Sequence, residues 1–484
     1  MKRLIRTSGL LAIAAGMIIS SCNTGTHKEL TSGIILKNMD TTVAPGNNFS
    51  QYVNGTWMKN TRIPSDKASY GAGYIVHEKS QEAVKAIIEN SAKTKGKDGS
   101  EEQKIGDLYN SYMDMKTRDS VGISPLKGEF SKINAIKTYT DLAAYFGYTN
   151  KRGFSSPLSI FVEVDFKDPK KYMLATWQGG LGLPDREYYS LTDATSVSIR
   201  AKYLQHIENM LKLGGIADPK TKASQIMALE TMIASKQMKK EDTRNMVALY
   251  NPFATKDLKK LMPDFDWTAM FKEAGINHDS LVVTQVDFTK ALNGIIKNTP
   301  IESWKTYLTW HAITNSSNSL TTALDNENFN FYSKTLNGVK EQQPRWRRGV
   351  DKVSGSLGEM IGKVYVEKNF PPEAKERMLK LVKNLLKAYE SSIKELAWMG
   401  AETKKQALDK LNKFTPKIGY PDKWIDYSSL KITGKDLYGN NQGLIRSREV
   451  THIASASKTI SAVTLVSSIM SCKMLAVTTS VFSS

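Results

Sequence analysis

Apolar residues recur at helical spacing in several separate stretches of the chain. The longest covers residues 372–399, where Pro371, Pro372 and Glu373 suit the first turn of a helix. Its apolar stripe consists of Met378, Leu381, Val382, Leu385, Tyr389, Ile393 and Leu396. A stripe of this kind predicts packing into a protein core. The same spacing predicts helices over residues 75–90, 103–115, 201–213 and 224–239.

A different pattern is found between residues 158 and 177. Residues 158–166 alternate between apolar and polar positions, and a second run, residues 172–177, follows a turn at Lys167, Asp168 and Pro169. Alternation of this kind is typical of strands, so we expect two strands joined by a short turn. The chain is therefore predicted to be mainly α, a large multi-helix domain with a small β ribbon.

The first 22 residues have the three parts of a bacterial export signal. Lys2 and Arg3 precede an apolar run, which ends in small residues before Cys22. The sequence from Ile19 to Cys22 resembles the lipobox of bacterial lipoproteins, in which the cysteine carries a lipid. A membrane-spanning helix is the alternative, but the apolar run is only about half of the roughly 20 residues that a span needs.

This resemblance implies a lipid-anchored protein of the bacterial cell envelope, which reaches the membrane through lipid on Cys22. Residues 1–21 are then the signal peptide of a lipoprotein, and residues 22–40 a polar tether. Cys472 is the only other cysteine, so a lipid on Cys22 leaves no pair for a disulfide. The fold must then be held together by its hydrophobic core.

The chain carries a formal net charge of +19, from 67 basic and 48 acidic residues. Such a charge can indicate a polyanionic partner, for example nucleic acid or an acidic envelope polymer. The lysines, however, are spread along the helical patterns together with glutamates, and no nucleic-acid-binding motif accompanies them. We interpret the charge as a solvated basic surface and expect no nucleic-acid partner. Binding of acidic polymers, which salt would weaken steeply, stays as an alternative.

Residues 77–81 read HEKSQ, which differs from the zinc-peptidase motif H-E-x-x-H only in its last position. Catalytic zinc needs three protein ligands, and the uncharged amide of Gln81 is a poor one. No two of the six histidines lie within five residues of each other: His27, His77, His206, His278, His311 and His452. We therefore expect His77 to be a surface residue of a helix. No catalytic or metal-binding residue is assigned.

Longer stretches are more specific than these short motifs. They read PGNNFSQYVNGTWMKNTRIPSDKASYGAG (residues 45–73), GGLGLPDREYY (179–189), PRWRRGVDKVSGSLGEMIGKVYVEKNFPPEAKERM (344–378) and LAWMGAETKKQALDKLNKFTPKIGYPDKWIDYSSL (396–430). In this order they resemble the neprilysin/PepO family of zinc metalloendopeptidases. Within them, Asn54 and Gly55 predict a turn, and Gly182, Pro184 and Asp185 predict another between packed aromatic residues.

The resemblance implies a mainly helical domain that covers a thermolysin-like catalytic domain and limits access to peptides. In the family, the zinc motif and an N-A-x-Y motif follow the last matched stretch, whereas here the match fades near residues 440–449. Residues 41–440 are therefore predicted to be the N-terminal peptidase domain, and residues 441–484 a tail outside the family. Zinc is expected in the full-length family but not on this chain, which is predicted to be inactive alone.

Two alternatives to an inactive peptidase domain are kept. The chain can be a lipid-anchored module that binds peptides, or one that docks a separately encoded catalytic half. The tail, rich in Ser and Thr and free of Asp, Glu, Gly and Pro from Thr451 onward, suggests an out-of-frame translation. Substrate-contacting arginines of some mammalian members align approximately with Ser69 and His77, so carboxylate recognition is not carried over.

Overall fold

The computed structural model describes residues 34–456, and the side chains of residues 34–447. The predictions for Cys22 and Cys472, and for most of the tail, concern positions outside these described residues. None of the helices in residues 34–456 combines the length and the apolar character that a membrane span requires.

The described chain divides into two compact units between Arg62 and Ile63. The first unit contains a 3-10 turn, Leu36–Asn38, and helix α1, Phe49–Asn60. The side chain of Asn48 caps α1, because its Oδ1 accepts a hydrogen bond of 2.9 Å from the backbone N–H of Gln51. The 3-10 turn thus lies within residues 22–40, the stretch assigned to the tether.

The turn predicted at Asn54 and Gly55 is wrong, because both residues lie inside α1. Glycine usually destabilises a helix interior. Here it permits a close approach, since a Cβ at Gly55 would come within 2.6 Å of Asp40 Cβ. The Thr56 hydroxyl donates a hydrogen bond of 2.7 Å to Met39 O and holds the same segment against the helix. Gly55 therefore marks a close packing contact and not a change of chain direction.

The second unit is built mainly from helices. They are α2 (Ala72–Thr94), α3 (Glu101–Met113), α4 (Met115–Val121), α5 (Lys127–Asn134), α6 (Tyr139–Arg152), α7 (Glu187–Ser190), α8 (Ala194–Leu213), α9 (Pro219–Lys236), α10 (Met246–Leu249), α11 (Trp267–Ala274), α12 (Val286–Asn298), α13 (Ile301–Ser316), α14 (Thr322–Asn328), α15 (Arg345–Asn369), α16 (Pro372–Glu395), α17 (Ala401–Asn412) and α18 (Leu437–Ala456). A π-helix, Phe329–Thr335, follows α14 directly.

All five helices predicted from apolar spacing are confirmed, as α2, α3, α8, α9 and α16. The largest difference in bounds is at α8, which begins at Ala194 and not at residue 201. Asp193 explains the earlier start, because its Oδ1 accepts a hydrogen bond of 3.0 Å from the backbone N–H of Ser196. The apolar spacing locates the buried part of a helix, while the cap decides where the helix begins.

The predicted ribbon is confirmed as the antiparallel pair β1, Leu158–Val164, and β2, Tyr172–Gln178. Two further strands, β3 (Pro252–Ala254) and β4 (Ser280–Val283), extend it to a four-stranded sheet in the order β1-β2-β4-β3. Strand β4 runs parallel to β2 and antiparallel to β3. The sequence prediction missed these two strands because runs this short give little periodicity.

Three main hydrophobic clusters hold the second unit together. The first lies where α6, α11, α12 and α13 meet the sheet, and Trp304 is fully buried in it. Helices α6 and α11 cross closely there, because a methyl group at Gly147 would overlap the carbonyl oxygen of Met270. The second cluster, around Trp310, joins α8, α9 and α13. The third, around Leu108, joins α2, α3 and α15.

The prediction that the stripe of α16 packs into the core is wrong. Leu381, Leu385 and Tyr389 are 53%, 51% and 55% exposed, and no residue of α16 or α17 is buried. The amphipathic spacing correctly predicted the helix, but it cannot say what covers the apolar face. An exposed apolar face of this kind is typical of an interaction surface.

Candidate functional site

Four charged side chains join the loop after Ile63 to helices α2 and α15. Lys67 Nζ lies 3.2 Å from Asp66 Oδ1 and 3.1 Å from Glu78 Oε1. Arg347 Nη1 lies 3.7 Å from Asp66 Oδ2 and 3.4 Å from Glu78 Oε1. The Lys67 side chain is only 6% exposed. Two cations and two anions therefore balance each other in a partly buried quartet, as burial of charge requires.

The quartet fixes the ionisation of Glu78. Burial alone would raise the pKa of Glu78, but hydrogen bonds from Lys67 and Tyr70 and the charge of Arg347 hold it below its ordinary value. The Tyr70 hydroxyl donates to Glu78 Oε2 over 3.1 Å. Burial, and then Glu78, raise the pKa of Tyr70. Glu78 is therefore an ionised acceptor with its oxygens engaged, and not a carboxylate free to take a proton from water.

The HEKSQ motif lies on α2, and His77 is exposed on that helix as predicted. Gln81 is 8% exposed, and its Nε2 lies 3.1 Å from His77 Nε2. The same Nε2 donates a hydrogen bond of 2.8 Å to Asp351 Oδ1 on α15. Burial raises the pKa of Asp351, although His77 and Gln81 oppose this effect. Gln81 thus connects two helices by its amide nitrogen.

These residues do not fit a catalytic zinc ion. The Gln81 atom beside His77 is the amide nitrogen, a hydrogen-bond donor that cannot bind a metal ion. Glu78 is paired with the cations Lys67 and Arg347. Three protein ligands and an open position are needed for zinc catalysis. Within residues 34–447, no group of three His, Cys, Asp or Glu side chains is placed to hold a metal. We derive no catalytic step through a metal from these side chains.

The other described histidines have separate environments. His206 is 2% exposed, its Nδ1 lies 3.0 Å from Glu327 Oε1, and its ring stacks on Phe331 of the π-helix at 4.8 Å. Burial lowers the pKa of His206, although Glu327 opposes this effect. His278 is exposed in the loop before β4. His27 and the side chain of His452 lie outside the described residues.

A fully buried carboxylate, Glu230 of α9, lies under the GGLGLPDREYY stretch. Its Oε2 accepts hydrogen bonds from the hydroxyls of Tyr189, over 2.6 Å, and Tyr203, over 2.8 Å. Its Oε1 accepts one of 3.2 Å from Trp310 Nε1 and lies 3.5 Å from His311 Nε2. The pKa of each tyrosine is raised well above the usual value, mainly by burial and to a smaller extent by the charge of Glu230. The hydroxyls therefore remain protonated donors.

At the turn predicted for Gly182, Pro184 and Asp185 the backbone bends over residues 182–185, and this bend lies among aromatic side chains. The Tyr189 hydroxyl accepts a hydrogen bond of 3.0 Å from the backbone N–H of Leu183 while it donates to Glu230. The Tyr332 hydroxyl donates to Gly182 O over 3.0 Å. A methyl group at Gly182 would overlap the Tyr203 hydroxyl. The motif is thus fixed to the protein interior by phenol groups.

Sequence reasoning found the segments that build these clusters but not the residues that join them. Asp351, Arg347 and Glu230 were not singled out as functional, because their partners are distant in the sequence. Of the two positions aligned with arginines, Ser69 is exposed in the loop before α2, and His77 lies against Gln81. The one signal for Glu230 is an acidic residue at an apolar position of a helix pattern.

A family model, that of peptidase family M13, matches residues 45–421. Neprilysin-3 of Drosophila melanogaster is 27% identical over 449 residues, and endothelin-converting enzyme 1 of Homo sapiens is 26% identical over 451 residues. The alignments cover 86% and 87% of this chain, but 56% and 57% of those proteins. The chain therefore spans about half the length of these curated relatives.

Solved structures have the same fold. The zinc metalloprotease Zmp1 of Mycobacterium tuberculosis, in complex with an inhibitor, is 34% identical with a TM-score of 0.84. That match covers 89% of this chain and 66% of the Zmp1 chain. PepO of Lactobacillus rhamnosis, 19% identical with a TM-score of 0.77 over 87% of this chain and 67% of its own, supports the fold alone. The predicted fold class, mainly helical with a small sheet, is confirmed.

Proposed function

The chain belongs to peptidase family M13, and from this premise we propose that residues 41–440 form the domain that encloses peptide substrates in a zinc endopeptidase. The observation that carries this proposal is the extent of the likeness to Zmp1, which is 34% identical over 89% of this chain. The matched stretches occur in family order, from the first signature to the segment that ends near residue 430. Peptides are the substrate class that the family implies.

We further propose that the 484-residue chain does not hydrolyse peptides by itself. The sequence contains no H-E-x-x-H motif, and the described side chains offer no three-ligand metal site. Positioned acids and bases contribute about 10² to 10⁴-fold in rate. Enzymes accelerate reactions by at least about 10⁶-fold, so acid and base groups alone fall short. In zinc peptidases the metal supplies an activated water, which acid and base side chains alone do not provide.

A second candidate function, docking of a separate catalytic half without catalysis in this chain, is favoured by the exposed face of α16. Trp398 and Phe414, which precede and follow α17 in the sequence, are a further two exposed apolar side chains, at 77% and 58%. Covering about 1,000 Å² of such surface is worth roughly 25 kcal/mol of gross hydrophobic free energy. A protein partner would therefore stabilise this region.

We also propose that lipid on Cys22 anchors the protein in the bacterial cell envelope. The support is the lipobox-like sequence from Ile19 to Cys22. The expected result is incorporation of a labelled fatty acid into the expressed chain and its loss in a Cys22→Ser variant. Incorporation of the labelled fatty acid into the Cys22→Ser variant would contradict the proposal.

The functional proposal is tested with the purified chain and an internally quenched peptide in the presence of zinc. We expect saturable peptide binding, measured by fluorescence anisotropy, and no cleavage that a chelator abolishes. Chelator-sensitive turnover would contradict the assignment of an inactive domain. Failure to bind any member of a peptide library, together with binding to a supplied catalytic domain of the family, would favour the docking function.

A further inference from the structure

A cleft of about 480 Å³ opens on the second unit, and none of the residues that line it belongs to the HEKSQ motif. Its walls come from α5, the end of α8 with the loop that follows, the start of α9 and the start of α13. Small-molecule sites commonly have volumes of about 300 to 1,000 Å³. The cleft is therefore large enough for a small organic ligand.

One part of the cleft is apolar. Leu211 is fully buried beneath it, while Phe130 and Ile216 are half-buried and line it. The ring of Phe130 and the aliphatic side chain of Ile216 offer a surface on which an apolar group can be removed from water. Burying apolar surface stabilises a complex by about 25 cal/mol per Å² before the costs of association.

The charges in the cleft do not cancel. Lys305 Nζ pairs with Glu302 Oε1 at 2.7 Å, and the Lys305 side chain is 17% exposed whereas that of Glu302 is 82% exposed. Lys222 also lines the cleft and is half-buried, but it forms no salt bridge with any carboxylate of residues 34–447. Two lysines and one glutamate leave a formal charge of +1. A lysine that lines a cleft without a carboxylate partner favours an anionic ligand.

Neutral polar groups surround this charge. The amides of Asn134 and Gln225 and the hydroxyls of Ser303 and Thr309 line the cleft, and their side chains have no hydrogen-bond partner in the part of the chain that the structure describes. Thr306, by contrast, donates to Glu302 O over 3.0 Å. A few polar groups beside an apolar surface orient a ligand.

We infer that this cleft binds a small organic monoanion, a carboxylate attached to an apolar body. The carboxylate lies at Lys222, with the amides of Asn134 and Gln225 as further donors, and the apolar body lies on Phe130 and Ile216. A single carboxylate matches the formal charge of +1, whereas a dianion would meet Glu302 without compensation. This inference does not depend on the proposed peptidase function.

The test uses N-acetyl-phenylalanine as the probe and the full chain as the protein, with binding followed by calorimetry or ligand-observed NMR. We expect saturable binding with a Kd of about 1 mM or tighter. N-acetyl-phenylalaninamide, which lacks the carboxylate, and acetate, which lacks the apolar body, should each bind roughly ten-fold more weakly. Equal binding of the neutral amide would overturn the inference, as would the absence of saturation at about ten times that concentration.

Two variants locate the probe. Lys222→Gln should weaken binding roughly ten-fold, the effect of losing one charged hydrogen bond. Lys290→Gln is the matched control, because Lys290 is exposed on α12 and lies outside the cleft. Thermal unfolding of both variants verifies that the fold is intact. Unchanged affinity in a folded Lys222→Gln variant would overturn the assignment of the site. Binding of inorganic phosphate as tight as that of N-acetyl-phenylalanine would overturn the choice of a carboxylate with an apolar body.

Discussion

Gln81 donates a hydrogen bond of 2.8 Å to Asp351, although 270 positions separate the two residues in the sequence. The bond joins α2 to α15, and the charged quartet that contains Glu78 and Arg347 joins the same two helices. Glu78 and Gln81 of the HEKSQ motif are thus used to hold two helices together.

A Gln81→His substitution completes the H-E-x-x-H pattern without supplying its chemistry. We expect no chelator-sensitive cleavage of a quenched peptide, because Glu78 stays paired with Lys67 and Arg347 and no third ligand is present. We also expect a loss of about 1 kcal/mol in the free energy of unfolding, measured with urea, since the hydrogen bond to Asp351 is lost. Gln81→Ala is the control for that loss. Zinc-dependent turnover by the histidine variant would refute this interpretation of the motif.

A Glu230→Gln substitution should lower the free energy of unfolding by about 3 kcal/mol. The amide has one acceptor oxygen and brings an NH2 group toward side chains that donate, among them Tyr189 and Tyr203. Glu376→Gln, on the exposed surface of α16, is the matched control and should change stability by less than about 0.5 kcal/mol. Equal urea midpoints for the two variants would show that the charge of the buried carboxylate does not contribute to the stability of the fold.

A Gly182→Ala substitution should destabilise the protein by about 3 kcal/mol, because its methyl group overlaps the Tyr203 hydroxyl. In a Tyr203→Phe background the additional loss should be smaller, since the hydroxyl is absent. Gly128→Ala is the control, as a Cβ there meets nothing within 4 Å and alanine favours the helix. The four free energies of unfolding form a double-mutant cycle. A coupling energy near zero would contradict the proposed contact.

The stability of the fold should decrease as the pH falls below the ordinary pKa of histidine, 6.5. Burial lowers the pKa of His206, so the unfolded chain binds a proton in a pH range where the folded chain does not. The contribution of His206 to the free energy of unfolding is therefore fully present above pH 6.5, and it is lost as the pH falls toward the lowered pKa. Urea unfolding at several pH values measures the slope.

His206→Phe should flatten that slope, because the group whose pKa differs between the folded and unfolded states is then absent. An identical slope in the wild type and the His206→Phe variant would mean that other groups dominate. The phenylalanine also loses the contact with Glu327, so the comparison rests on the slope and not on the absolute stability.

Substitution of Leu381 or Leu385 by lysine should leave the free energy of unfolding of the isolated chain within about 0.5 kcal/mol of wild type. Both residues are half exposed, so little apolar burial is lost. The binding of an apolar fluorescent dye should decrease. Leu108→Ala, in the fully buried third cluster, is the contrasting variant and should cost about 3 kcal/mol. A cooperative loss of stability in the lysine variants would show that the chain itself covers this face.

Local signals in the sequence predicted the elements of the fold well. The stripe from Met378 to Leu396 gave α16, and the alternation before and after Asp168 gave the β1–β2 hairpin. Asn-Gly is a turn signal, but at Gly55 the glycine is explained by its close contact with Asp40. A local sequence pattern does not show which other segment of the chain packs against it.

The contacts of the candidate site join segments that are far apart in the sequence, so the sequence alone does not predict them. Gln81 was identified as a poor zinc ligand from its chemistry, but its bond to Asp351 required the fold. The exposure of the α16 face was also not predictable from the sequence. Amphipathic spacing is the same whether the apolar face packs into the protein's own core or against another protein. The cleft at Lys222 is assembled from four helices, and none of its residues forms a motif.

The parallel pairing of β2 with β4 constrains the order of events during folding. Ala175 lies opposite Val282, so more than a hundred residues must be synthesised after β2 before its second neighbour exists. The β1–β2 hairpin closes locally and can form within microseconds, whereas the β2–β4 pair must close a long loop. We therefore expect the hairpin to wait, with one edge unpaired, while the ribosome adds α8 and α9. During that interval the nascent chain is exposed to strand-to-strand association with other molecules.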